Sequence, residues 1–126
     1  MMLFSSPVFG QVDSCEFEID KSSGRKIYLS SEKMPQYIGG NDSLMRYITR
    51  NLSLPEDDGA NYSGRVVISF IVEPDGTLSN KRILKGIYPK TDSVILKMID
   101  KMPNWMPGEC NGKKIPIKTY IPIFIN

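Results

Sequence analysis

The last eleven positions of the alternating segment Ile115–Ile125 constrain this chain more than any other stretch. Ile115, Ile117, Thr119, Ile121, Ile123 and Ile125 fall on one face of an extended strand, and Pro116, Lys118, Tyr120, Pro122 and Phe124 on the other. A face made almost wholly of isoleucine has to cover a core. The prolines add a second constraint. Along an antiparallel strand the N–H and C=O of one residue point to the same edge, and successive residues alternate edges. Pro116 and Pro122 are both even-numbered, so both missing donors fall on one edge, and the odd edge keeps every N–H. The odd residues are therefore expected to pair fully with a neighbour. The even side, with Lys118, Tyr120 and Phe124, is expected to lie at or near the rim of a sheet.

The neighbour is legible upstream. Arg65–Val72 (RVVISFIV) is the strongest strand signal, and its near-continuous apolarity suits a central position covered on both faces. Glu73-Pro-Asp-Gly-Thr77 is a hairpin turn, with Pro74 presetting φ and Gly76 supplying the left-handed conformation. Leu78–Lys85 returns as a more polar outer strand, where Lys81 and Lys85 discourage edge pairing. Asn41 or Asp42 is expected to cap a first helix with Leu44, Tyr47, Ile48 and Leu52 on its apolar stripe, ended by Leu54-Pro55. Thr91 or Asp92 is expected to cap a second, carrying Val94, Ile95, Met98, Ile99 and Met102 and ended by Pro103. The order helix, strand, strand, helix, strand predicts an α+β fold: a three-stranded antiparallel sheet with two helices on one face.

The turn into the last strand is Pro103-Asn-Trp-Met-Pro-Gly108, and it holds the single tryptophan, Trp105. A lone Trp between Pro103 and Pro107 reads as a packing anchor rather than a ligand platform. Asn111-Gly112 then makes a tight turn. At the other end, Glu16–Asp20 and Lys26–Ser30 around a Ser/Gly turn predict an N-terminal hairpin. Met1–Gly10 is apolar and ends in small residues, as the remnant of a secretory signal would, although it lacks a basic start. Val12–Cys15 is a poor fit to a lipidation site because of Asp13. Three segments are expected: 1–10, a signal remnant, with a disordered or loosely docked N-terminus as the alternative; 11–31, an extension with the hairpin; and 32–126, the main domain. In an exported chain Cys15 and Cys110 are candidates for a disulfide, with two separate thiols as the alternative.

Composition narrows the function. Among 126 residues there are 16 basic and 14 acidic ones, too balanced for a nucleic-acid or anionic-membrane surface. There is no histidine, which removes the Ser–His and Cys–His nucleophile pairs and the commonest metal ligand. The two cysteines alone do not make a metal site, and no cofactor and no catalytic residue is expected.

Taken in order, Pro35–Gly40, the helix ending at Leu54-Pro55, Gly64–Gly76 (GRVVISFIVEPDG), Met102–Gly108 (MPNWMPG), Asn111-Gly-Lys113 and Tyr120–Phe124 (YIPIF) resemble the TonB C-terminal domain, in the variant of Bacteroidetes-type energy transducers. The likeness runs from Glu32 to Asn126 and departs where the family's usual Tyr-Pro is Leu54-Pro55. The resemblance implies a periplasmic domain that takes the N-terminal segment of a TonB-dependent outer-membrane transporter as an added strand. The family's membrane helix and proline-rich spacer are not in this sequence, so binding without pulling is the expectation. The alternative is a self-associating domain whose edge pairs with a second copy, forming a homodimer.

Overall fold

The computed structural model describes residues 15–52, 64–87 and 89–125. The expectations for the signal remnant and for Leu54-Pro55 lie outside them. Chain order is β1 (Phe17–Ile19), β2 (Lys26–Tyr28), α1 (Gly40–Asn51), β3 (Gly64–Val72), β4 (Leu78–Lys85), α2 (Pro89–Asp100), β5 (Gly108–Cys110), β6 (Lys113–Ile115) and β7 (Ile117–Ile125).

The alternation of β7 and the apolar run of β3 meet in one unbroken antiparallel ladder, from Gly64↔Ile125 to Val72↔Ile117. Directly opposed residues share a face. Val66, Ile68, Phe70 and Val72 therefore stand beside Ile123, Ile121, Thr119 and Ile117. Leu44 and Ile48 of α1, and Ile95, Met98 and Ile99 of α2, are buried in the cluster that holds most of that face, so both helices cover it. Each fully buried Ile or Val contributes about 1.5–3 kcal/mol. A one-residue slip would turn the whole isoleucine row to solvent, which fixes the register. Pro122 lies opposite Val67, where a residue whose N–H points away from β3 belongs.

The sheet is larger than the expected three antiparallel strands. It has five, in the order β1-β2-β7-β3-β4, and β2 joins β7 in parallel at Tyr28↔Ile117. The N-terminal hairpin does not stand apart, because Ile27 needs burial and finds it against the main sheet. A second sheet, β5-β6, is a small hairpin whose turn residues Asn111 and Gly112 both have positive φ. The strand expected from Ile115 is thus interrupted at Pro116, and Ile115 belongs to this hairpin.

Both helices start earlier than the caps suggested. Gly39, at φ 90°, precedes α1 with no side-chain cap, and Asp42 lies in the first turn. Pro89 opens α2, where a missing N–H costs nothing, and the Asp92 carboxylate accepts back from the Ile87 N–H at 3.3 Å. β4 carries register shifts against β3, and its Lys81 pairs with Asp100 at the end of α2 at 3.0 Å.

Candidate partner-binding edge

The approach to β7 is fixed by the turn after α2. Trp105 is 5% exposed and meets Phe70 and Tyr37 edge-on, with ring centroids 5.2 and 5.8 Å apart. Its backbone N–H donates to the Gly76 carbonyl at 2.8 Å, so the β3–β4 turn and the α2–β5 turn hold one another. A Cβ on Gly76, at φ 88°, would run into the Trp105 carbonyl. Pro103 follows α2 and Pro107 precedes β5. Gly108 lies against the Ile117 side chain and the Lys33 carbonyl, close enough that no Cβ fits. Met106 and Glu109 form bridges to Gln36 and Lys33, which pin the chain on either side of Gly108.

Beyond Ile117, no strand among the described residues pairs with the outer edge of β7. The even residues aim their peptide groups outward. Pro116 and Pro122 have no N–H to offer, and the two remaining outward donors left unclaimed among the described residues are those of Tyr120 and Phe124. Lys118, expected on the open edge with them, is already engaged. The Tyr28 N–H donates to the Pro116 carbonyl at 2.9 Å, and a parallel bridge centred on Ile117 sets the Lys118 N–H against the Tyr28 carbonyl. Sequence periodicity could not reveal this, because a single parallel bridge has no period. The Lys118 ammonium also pairs with Glu18 of β1 at 3.5 Å.

The side chains of this edge lie on the face away from the helices. Tyr120 is 51% exposed, Phe124 is 71% exposed, and the exposed ring of Pro122 stands between them. Across the ladder they face Ser69, Arg65 and Val67. The result is an apolar stripe running along an unfilled hydrogen-bonding edge, the two features a strand-adding segment needs together. The sheet's other edges are poorer: β1 has three residues, and β4 is bulged and lysine-bearing.

The hairpin arm closes the same face near the start of β7. Arg25 donates both guanidinium nitrogens to Glu73, at 3.0 and 2.6 Å, and Ser79 Oγ donates to the same carboxylate at 2.5 Å. The hydrogen bonds from Arg25 hold the Glu73 carboxyl below the usual carboxylate range, against the opposing effect of burial, and Ser79 adds to them. The arm begins at a disulfide, Cys15–Cys110, with Cα atoms 6.4 Å apart. Among the described residues no group of three His, Cys, Asp or Glu side chains is placed to hold a metal. No helix among them is long and apolar enough to cross a membrane.

The family model described as the Gram-negative bacterial TonB protein C-terminal matches residues 56–124, more than half of the chain and most of the span from β3 to β7. No curated protein and no solved structure matches at a significant level.

Proposed function

The chain belongs to the Gram-negative bacterial TonB protein C-terminal family, and from that premise we propose that its β7 edge receives the N-terminal segment of a TonB-dependent outer-membrane transporter as an added strand. Domains of this family are non-enzymatic, transport-related protein-interaction modules that work in the periplasm. The observation that carries the finer reading is the outer edge of β7 beyond Ile117. It lacks a strand partner among the described residues and is flanked by exposed Tyr120 and Phe124.

Backbone pairing supplies the attraction, and the aromatic stripe selects apolar side chains at alternate positions of the segment. Two outward donors interrupted by Pro122 make a short ladder. Ordering a flexible segment offsets much of the gain, so affinity in isolation is expected at about micromolar or weaker.

The test is titration of a peptide from a transporter's N-terminal segment against the wild type and Tyr120→Pro. The substitution deletes one outward donor and leaves the N–H groups facing β3 untouched. Folding is checked by circular dichroism. Loss of binding in the folded variant is the expected result, and undiminished binding refutes the site. Sizing at two protein concentrations addresses the competing occupant. Dimerisation abolished by the same substitution would assign the edge to a second copy of the chain.

A further inference from the structure

β2 is an odd element. It is three residues long and joins β7 at a single parallel bridge, too little pairing to hold a strand in place by itself. What holds it lies elsewhere. At the arm's start the Cys15–Cys110 disulfide ties it to the end of β5. At its tip Arg25 grips Glu73, just past the end of β3. Between these clamps Ile27 is buried, and Tyr28 packs on the small cluster of Cys15, Cys110, Ile115 and Ile117. The position of β2 is imposed on β7 by attachments to other elements.

That position is the first rung of the edge assigned above to the transporter segment. Tyr28 occupies the Pro116 carbonyl and stands against the Lys118 N–H, the groups from which an incoming strand would otherwise start. The geometry points to the arm as a built-in stop: an intrachain strand that blocks the Lys118 end of the edge, confines the incoming segment to the stretch from Tyr120 to Phe124, and so sets its register. This rests on the strand-addition reading. Without a stop, an extended segment could slide by two residues and keep its side-chain alternation, since the pleat repeats every second residue. With β2 fixed, the segment's end abuts the arm, and only one alignment places its apolar side chains beside both Tyr120 and Phe124. The stop is a fixed one. Cys15 and Cys110 are 4% and 6% exposed, so an external thiol has no direct approach to the bond.

The experiment compares the oxidised full chain with a Cys15→Ser/Cys110→Ser/Arg25→Ala variant that lacks both clamps. Amide exchange is read first, with no partner present. Lys118 is expected to exchange slowly in the wild type and at least tenfold faster in the variant, while Ile121 and Ile123, which face β3, stay protected in both. Two synthetic transporter segments are then titrated, one spanning Tyr120–Phe124 and one two residues longer towards Lys118. The longer segment should gain nothing on the wild type and about three- to tenfold in affinity on the variant, the worth of one further hydrogen bond. Fast Lys118 exchange in the oxidised wild type overturns the stop, as does an equal gain from the longer segment on both proteins. If neither segment binds to the wild type or to the variant, the strand-addition reading falls instead, and Lys118 exchange then still reports separately on whether the arm occupies the edge. Should the triple variant not fold, Arg25→Ala with the disulfide intact replaces it. Lys118 exchange must then rise by a smaller factor, and no rise counts against the clamp.

Discussion

Replacing Trp105 by alanine removes the ring on which the turn after α2 is seated. A tryptophan buries about 150–250 Å², which at about 25 cal/mol per Å² amounts to roughly 4–6 kcal/mol. Trp105 is 5% exposed, so nearly all of that applies, less about 1 kcal/mol for the methyl that alanine keeps. Edge-on contacts with Phe70 and Tyr37 add roughly 0.5–1.5 kcal/mol each. One term runs the other way. Trp105 Nε1 is buried with no hydrogen-bond partner among the described residues, and deleting such a donor recovers about 1–3 kcal/mol. Partial collapse of the cavity lowers the total further, leaving a loss of about 3–4 kcal/mol for Trp105→Ala. Trp105→Phe keeps an aromatic edge and drops the orphan donor, so its cost should stay below about 2 kcal/mol. Urea unfolding followed by circular dichroism measures both. An alanine variant within about 0.5 kcal/mol of wild type would refute the anchoring role, and a phenylalanine variant as damaged as alanine would refute the weight given to the unsatisfied N–H.

Gly76→Ala should lose at least about 2 kcal/mol, since φ 88° is strained for alanine and its Cβ meets the Trp105 carbonyl; unchanged urea stability would contradict that contact. Thiol titration of the denatured, unreduced protein should find no free thiol, whereas two would exclude the Cys15–Cys110 bond. Glu73 has its folded pKa lowered, chiefly by the hydrogen bonds from Arg25, so its contribution to stability is present above the unfolded carboxylate pKa and is lost as pH falls through the folded value. Glu73→Gln should therefore flatten part of the acid limb of the stability–pH curve, by a modest amount because Arg25 is 44% exposed, and an identical acid limb would show that the pair contributes nothing.

The central sheet was readable because two independent signals coincide in it. The apolar run of Arg65–Val72 marks a central strand, and the parity of Pro116 and Pro122 shows which edge of the last strand pairs with it. Their ladder follows that parity residue for residue. The buried Trp105 in the turn after α2 and the left-handed Gly76 are equally local signals. The placement of β2 was not local. A three-residue strand carries no period, and its docking depends on the pairing of Cys15 with Cys110 and on Arg25 reaching Glu73, contacts far apart in sequence. Strand parity alone therefore groups Lys118 with Tyr120 and Phe124 on one open edge, whereas the arm divides them. The helix starts differ from the expected caps for a smaller reason. Asn41, Asp42, Thr91 and Asp92 have capping chemistry, but Gly39 and Pro89 reach the helical geometry first.

The proposed docking site consists of the outward N–H groups of Tyr120 and Phe124. Residue-resolved amide exchange, in the protein alone and saturated with a transporter's N-terminal segment, tests it most directly. Fast exchange is expected at both positions in the free monomer, and slowing of at least tenfold on saturation, with Ile121 and Ile123 protected throughout. Protection of Tyr120 and Phe124 already present in the free monomer, or protection on binding that appears elsewhere and leaves these two unchanged, would contradict it.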